Sequence, residues 1–317
     1  MNDTKTIKLI ESSIEEIDEK REIPEELLIE LINKNYFRLL LPKSLNGIEM
    51  DFIEYLKKLF EIASIDASVA WCINQSNVLS TNAAFMEKNL AKKIFDDPKA
   101  IITNGPPIEY DIKENKSEAL VSGKWSFSSG IKHSTWVLAI FNDKNNKSKN
   151  IMLPTSSVSL EDVWDVNGLR GTGSYSFSVK NKVIPNENIF YDRLNLNESG
   201  PLYKIPRDLK FGSGFSTIAL SLANSSINYA LDFAKSKKGV NVDVDVLRFY
   251  PYKNLSAHVL GYTKPITRSE YRELSSKGYR LQDRIGRIGI EAAYESQLRG
   301  EWGGKMLEVD ALGVVQR

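Results

Sequence analysis

The stretch Gly123-Lys124-Trp125-Ser126-Phe127-Ser128-Ser129-Gly130, followed by His133 and Trp136, is the densest in the chain. A Trp and a Phe beside a Ser-Ser-Gly turn supply a flat apolar wall, hydroxyl donors and a backbone that a ligand can approach closely. A planar, hydrogen-bonding heteroaromatic molecule needs those three things. An ordinary strand, turn and strand with core aromatics fits the same spacing. Residues 101–195 around the stretch have β character. Residues 119–121, Ser122-Gly123 and 124–127 predict a hairpin with a Gly-containing turn. Residues 136–141 predict a buried strand, 142–150 a solvated loop, and 158–163 and 175–184 further strands, with Pro185 ending the last.

Upstream, residues 4–100 read as helices. Pro24 stands at a first-turn position before Glu25 and Glu26, and Leu27, Leu28, Leu31 and Ile32 follow at helical spacing. Residues 51–63 predict an amphipathic helix. The segment 66–76 (Asp-Ala-Ser-Val-Ala-Trp71-Cys-Ile-Asn-Gln-Ser) is small and apolar with one large aromatic, so it predicts a helix buried on most sides. Residues 208–236 return to helix with many small residues. Helices, then strands, then a bundle-type helix is an α+β order.

Composition places these elements in a class. The chain has 317 residues, 42 basic and 41 acidic side chains and a net charge of +1, so no overall field favours a nucleic-acid partner. About 150 residues per domain suggests about two domains. The longest apolar run, six residues at 136–141, falls far short of a membrane span of about twenty. The start is polar and not secretory in type. One cysteine and two distant histidines argue against a disulfide framework or a His/Cys zinc site. The expectation is a soluble, cytoplasmic protein.

These averages conceal a seam. Residues 1–238 hold 25 Lys and 5 Arg, whereas 239–317 hold 4 Lys and 8 Arg, and Asn falls from 22 to 2 across the same point. Packing gives no reason for so sharp an exchange. A domain boundary or two separate sequence histories joined near Lys237-Lys238-Gly239 would each produce it. Beyond it, Val240, Val242, Val244 and Val246 alternate as a strand, and 250–262 predict a loop with a short helix. Residues 284–298 predict a helix with a Glu295/Arg299 pair and a Gly300 cap. Residues 306–310 and 314–317 predict a hairpin.

In residues 5–236, the Asp-Ala-Ser-Val-Ala-Trp helix, the Trp-Ser-Phe-Ser-Ser-Gly strand end and the Gly168-Leu-Arg170-Gly-Thr172-Gly-Ser174 loop occur in order. Together they resemble the acyl-CoA dehydrogenase superfamily, in its flavin-dependent monooxygenase branch. The resemblance implies an N-terminal helical domain (1–100), a central β-barrel-like domain (101–200) and a C-terminal four-helix bundle. Only the first bundle helix (205–236) has a counterpart, which implies an impaired enzyme. It implies reduced FMN or FAD as cofactor, a separate flavin reductase as partner, an aromatic or acyl small-molecule substrate and a homo-oligomer. Dioxygen would be activated on the flavin and one oxygen atom transferred to the substrate. Carried over, Trp125, Phe127, Ser128, Ser129 and Gly130 would face the flavin, Trp71 would approach the same pocket, and Arg170 and Thr172 would lie in a loop at its entrance. His133 is a candidate catalytic residue, although a lone His at a strand end also fits a structural role. Where true acyl-CoA dehydrogenases carry a longer Thr-Glu-Pro-type motif, this chain has Thr103-Asn-Gly-Pro-Pro107.

Residues 239–317 resemble a second family. Ala257-His-Val-Leu-Gly-Tyr262 and Gly286-Arg-Ile-Gly289-Ile-Glu291-Ala-Ala-Tyr294-Glu295-Ser-Gln-Leu298-Arg299-Gly300 are similar to the dimerisation (pedestal) domain of penicillin-binding protein 2, class B. The two resemblances together imply a chimera. The alternative function is a non-catalytic interaction module of cell-wall assembly. Ser129-Gly-Ile-Lys132 fits Ser-x-x-Lys, but no Lys-Thr-Gly follows, so transpeptidase chemistry is not expected.

Overall fold

A computed structural model describes residues 4–192, 196–236, 250 and 257–300. The chain divides into two compact units, Met1–Val240 and Asn241–Arg317.

The first unit opens with five helices: α1 (Thr4–Lys20), α2 (Glu25–Asn33), α3 (Phe52–Ala63), α4 (Ala67–Ser80) and α5 (Lys88–Phe95). Local chemistry sets their starts. The Asp51 carboxylate accepts from the Ile53 and Glu54 backbone N–H groups, and Asp66 from that of Val69, so both are N-caps. Pro24, expected inside the first turn, is itself the residue before α2. In α4 twelve residues, from Ser68 to Ser80 except Trp71, are buried. Asn77 inside it donates to the Tyr36 and Ile73 carbonyls and accepts from the Leu40 N–H, which accounts for a buried amide in mid-helix.

Strands follow: β1 (Ile102–Gly105), β2 (Pro107–Glu114), β3 (Glu118–Ser128), β4 (Trp136–Asn142), β5 (Ser148–Pro154), β6 (Ser159–Glu161), β7 (Tyr175–Pro185) and β8 (Ile189–Tyr191). They form two four-stranded sheets, ordered β1-β4-β5-β8 and β2-β3-β7-β6. Among the described residues no strand joins the two, so the β-barrel-like domain expected for 101–200 is a pair of open sheets and not a closed barrel. Alternation explains the arrangement. Val137, Ala139, Phe141, Ile151 and Leu153 pack with Val121, Trp125 and Phe177 of the second sheet. On the opposite face, Ile102, Leu138 and Met152 pack with Leu90, Ile94 and Phe95 of α5. The first sheet is therefore a middle layer, apolar on both faces.

The expected hairpin turn at Ser122-Gly123 does not form. Residues 118–128 run as one strand, and the turn lies earlier, where Asn115 Oδ1 accepts from the Ser117 and Glu118 N–H groups. Gly123 is small for a different reason: a Cβ there would come within 2.7 Å of the Trp125 ring.

After α6 (Pro201–Lys204), the 29-residue α7 (Arg207–Lys235) packs on α3 and α4 and buries only Lys210, Gly214, Ile218 and Ser221. Leu220, Ile227, Tyr229 and Phe233 are exposed. Gly214 sets the closest approach, because a Cβ on it would lie 2.1 Å from Asn74 Oδ1. Gly214→Ala is expected to destabilise this unit by about 2 kcal/mol through overpacking. Urea unfolding of that variant, of Asn74→Ala and of the double variant checks it. The two losses should be less than additive, since removing Asn74 vacates the space.

In the second unit, α8 (Ala257–Leu260) precedes β9 (Thr263–Pro265), α9 (Arg268–Leu274), β10 (Arg284–Gly286), α10 (Gly289–Ala293) and α11 (Glu295–Leu298). β9 and β10 pair antiparallel. Thr267 and Glu270 cap α9 reciprocally, and Arg287 pairs with Glu270, which is held down at about 2 mainly by that hydrogen bond. The helix expected over 284–298 is instead a strand and two short helical segments. Ile288 is extended and Gly289 has φ +62°, where a Cβ would lie 2.4 Å from the Val259 carbonyl oxygen, so the chain turns there. The expected Glu295/Arg299 side-chain pair is absent: Glu295 accepts from the Gly286 N–H at 2.6 Å, and Arg299 stacks over Tyr279 at 4.0 Å. Gly300 has φ +69°, as a cap requires. The strand expected at 240–246 and the hairpin at 306–317 lie outside the described residues. Among the described residues no helix is long and apolar enough to cross a membrane.

Candidate functional site

The end of β3 is irregular in a way that shapes a site. Register with β7 shifts between Trp125 and Ser128, and Phe127 takes φ +55°, a left-handed conformation costly for an aromatic residue. The bulge turns Trp125 and Phe127 to opposite environments, although alternation would place them on one face. Trp125 is fully buried between the sheets, stacked on Phe177 at 5.1 Å and donating its indole N–H to the Ile140 carbonyl at 2.8 Å. Phe127 is 55% exposed, edge-on to Trp164 at 6.0 Å. Of the two aromatics expected against a ligand, the structure presents Phe127 and leaves Trp125 no free face.

Ser128 follows, fully buried, and its Oγ has no hydrogen-bond partner. It lies against Gly105 of β1, where a Cβ would come within 2.6 Å of that Oγ and 2.0 Å of the Ser126 carbonyl. An orphaned buried hydroxyl beside a close backbone approach is a cost the fold does not recover by itself.

Ser129 has the opposite character. Its Oγ accepts from Trp71 Nε1 of α4 at 3.0 Å and lies 2.8 Å from Ser174 Oγ, which is 2.8 Å from Thr172 Oγ1. Its carbonyl accepts from Thr103 Oγ1 at 2.6 Å, and the next N–H, that of Gly130, donates to the Thr172 carbonyl at 2.7 Å. Trp71, Ser129, Gly130 and Thr172 are thus brought together by hydrogen bonds to one another and to Ser174. Partners that no local pattern singled out complete the neighbourhood. Phe215 of α7 stacks on Trp71 at 4.1 Å and on Phe211 at 5.6 Å, and Gln75 Nε2 donates to Asn104 Oδ1 at 2.6 Å.

Arg170 does not join this group. Its guanidinium donates to the Asp18 carbonyl at 3.2 Å and the Val166 carbonyl at 3.3 Å, and pairs with the Asp18 carboxylate at 3.3 Å. A cation at the C-terminal end of α1 is stabilised by the helix dipole, so Arg170 ties the 168–174 loop to that helix. Arg21 holds the segment leading into that loop, through Asp162 and the Trp164 carbonyl.

His133 sits behind the turn, partly buried, its ring 5.9 Å from that of Phe37. Gly130, at φ +74°, leaves it room: a Cβ there would lie 2.7 Å from His133 Nε2. Burial pushes the imidazole down to about 4, so it is neutral at pH 7. Among the described residues no three His, Cys, Asp or Glu side chains cluster as metal ligands would.

The arrangement sets an exposed aromatic side chain, Phe127, over a buried turn that holds an unpaired hydroxyl, Ser128, and the Ser129–Ser174–Thr172 hydroxyl chain. Known proteins agree in fold. The HsaA monooxygenase from M. tuberculosis superposes with a TM-score of 0.69 at 22% identity, covering 75% of this chain and 66% of that one. XiaF from Streptomyces sp., solved in complex with FADH2 and glycerol, gives 0.65 at 17% identity over 73% and 62%. In sequence, the flavin-dependent monooxygenase oxygenase subunit HsaA of Mycobacterium tuberculosis (strain H37Rv) is 26% identical over 203 residues, 60% of this chain and 51% of that protein. The pigment production hydroxylase of Rhodococcus erythropolis is 24% identical over 286 residues, 83% and 70%. The chain spans about half the length of the HsaA relatives it matches. Its similar proteins are flavin-dependent monooxygenases of acyl-CoA dehydrogenase-like fold. The model of the Penicillin-binding Protein dimerisation domain matches residues 31–317, and by that match the chain belongs to that family.

Proposed function

We propose that Met1–Val240 is the flavin-binding part of a two-component monooxygenase, taking reduced FMN or FAD from a separate reductase and acting on a small aromatic or acyl substrate. One observation carries the reading: the strained Phe127–Gly130 turn, with the orphaned Ser128 Oγ held over Gly105. A planar ring with polar edges fits both the exposed aromatic face and the unused hydrogen-bonding capacity. Phe127, Ser128, Ser129, Gly130 and Trp71 would hold it. Thr172 would act through Ser174, and Arg170 would fix the loop. Bound reduced flavin supplies the electrons that activate dioxygen. The protein's own part is to exclude water with Trp71, Phe211 and Phe215 and to orient the ring with the serines. His133, neutral at pH 7, would serve there as a hydrogen-bonding group and not as a cation.

The reading includes a divided chain, with helical (1–100), β (101–200) and bundle-helix (205–236) parts followed by a pedestal-like segment (239–317) of different origin. The exposed Leu220, Ile227, Tyr229 and Phe233 of α7 support it, because the first helix of a larger bundle carries such an apolar face. Oxygenase activity is expected to be weak. Anaerobic titration of the purified chain with photoreduced FMN and FAD tests the site. Saturable micromolar binding is expected, weakened at least about tenfold in Phe127→Ala, which removes the exposed aromatic face. Failure of both reduced flavins to bind would end the reading.

The dimerisation-domain match favours a second reading, a non-catalytic module that associates in cell-wall assembly. Sedimentation velocity over a hundredfold concentration range separates the two. This reading requires a concentration-dependent dimer with no flavin binding.

A further inference from the structure

The chain contains three Asn-Gly pairs, Asn46-Gly47, Asn104-Gly105 and Asn167-Gly168, in different surroundings. Gly47 donates its N–H to the Pro42 carbonyl at 3.0 Å, and a Cβ on it would lie 1.9 Å from the Leu41 carbonyl oxygen. Asn104 lies in β1, where its Oδ1 accepts from Gln75 Nε2 at 2.6 Å. A Cβ on Gly105 would lie 2.0 Å from the Ser126 carbonyl oxygen. Both of these pairs are held by close contacts. Asn167 and Gly168 are instead exposed, in a bend between β6 and β7. Among the described residues nothing would meet a Cβ on Gly168 within 4 Å, and neither the Asn167 side chain nor the Gly168 N–H makes a hydrogen bond. Bonds stop on either side of the pair. The Val166 carbonyl accepts from Arg170 Nη1 at 3.3 Å, and the Leu169 carbonyl from Trp164 Nε1 at 3.1 Å.

We infer that Asn167-Gly168 is a self-modification site, where the folded protein deamidates spontaneously and forms isoaspartate. The Gly168 backbone nitrogen, its proton lost to hydroxide, attacks the Asn167 side-chain carbonyl carbon. A new C–N bond closes a succinimide ring, the Cγ–Nδ2 bond breaks, and ammonia leaves. Water then opens the ring at either carbonyl, leaving aspartate or isoaspartate. In sum one water is consumed and one ammonia released, and no other reactant is needed. The attack requires the nitrogen to come within about 3 Å of the carbonyl carbon in the right orientation. Backbone rotation at Asn167 supplies that approach, and the glycine that follows puts no side chain in its way. Only an unbonded, uncrowded pair is free to make the movement. The product alters the loop in two ways. It adds a carboxylate three residues from Arg170, in competition with Asp18 for the guanidinium that ties this loop to α1. Isoaspartate also lengthens the backbone by one carbon between the Val166 and Leu169 anchors. None of this depends on the flavin reading.

The full chain is incubated in mildly alkaline buffer, folded and in urea, then digested briefly with trypsin and mapped by mass spectrometry. Cleavage after Lys and Arg puts the three pairs in separate peptides, 44–57, 100–113 and 150–170. In the folded protein Asn167 is expected to convert at least about tenfold faster than Asn46 or Asn104. The product should resolve into two peaks of equal mass, aspartate and isoaspartate, and the rate should rise with hydroxide concentration. In urea the lead of Asn167 should fall below about threefold, because the contacts that hold the other two pairs are gone. Gly168→Ala places a methyl in open space, so the fold is kept, but it crowds the attacking nitrogen and restricts the backbone. That variant should convert at least about tenfold more slowly at Asn167. Faster conversion at Asn46 or Asn104 in the folded protein overturns the inference, as does an equal lead of Asn167 in urea. A wild-type rate in folded Gly168→Ala also overturns it, since water would then be hydrolysing the amide directly.

Discussion

Trp125→Ala is expected to cost the first unit about 4 kcal/mol, the upper part of the range for deleting a large buried aromatic. Three losses combine. The indole area leaves a cavity between two sheets that meet through Val121, Val137, Phe141 and Leu153 and cannot collapse freely. The stacking on Phe177 at 5.1 Å disappears. The Ile140 carbonyl loses its 2.8 Å donor. Urea unfolding followed by circular dichroism measures the total. Trp125→Phe keeps the stacking and most of the volume, so it should cost only about 1–2 kcal/mol. The same variant examines the assignment of this residue to the core. Folded Trp125→Phe should bind reduced flavin within about twofold of the wild type, because its ring faces the opposite sheet. A tenfold loss of binding at nearly unchanged stability would return Trp125 to the ligand.

That residue also shows where sequence reasoning stops. Trp125 and Phe127 are two apart in a strand, and regular alternation puts them on one face. The bulge before Ser128 breaks the alternation, and a bulge depends on the partner strand, which a local pattern does not contain. Gly123 misled for a related reason. A glycine inside a β segment signals either a turn or a close approach, and here the Trp125 ring, two residues on, decides between them. Arg170 in a Gly-rich loop could serve an anion or a helix end. Only the position of α1 shows that Asp18 claims it. Features fixed by neighbours in sequence were legible: the amphipathic helix over 51–63, the apolar 136–141 strand and the small-residue helix around Trp71. Within the site, the family resemblance named Trp71, Ser129, Gly130 and Thr172, which do meet. The Trp71–Phe215 stack and the Gln75–Asn104 pair join residues far apart in the chain, and periodicity carries no trace of either.

His133 should make stability depend on pH. Its folded-state value is depressed by burial to about 4, against 6.5 for an exposed imidazole. The unfolded chain therefore takes up a proton as pH falls through 6.5, while the folded chain refuses it until about 4. The stabilisation is fully present above 6.5 and is lost progressively between 6.5 and 4. Because His133 as a residue is only partly buried, the loss should be about 2 kcal/mol, less than the full shift implies. Carboxylates titrate at the lower end of the same range, so the measurement is a difference between two proteins. Wild type and His133→Gln are unfolded in urea at half-unit steps from pH 4 to 7.5. Glutamine keeps a polar tip against Gly130 and Phe37 without a titrating group. The wild type should lose about 2 kcal/mol relative to the variant across the window, with most of the difference appearing below pH 6. Parallel curves would mean that the folded imidazole protonates as readily as the unfolded one. His133 would then be charged in the folded protein at pH 5, and a cation would stand one turn behind Ser129.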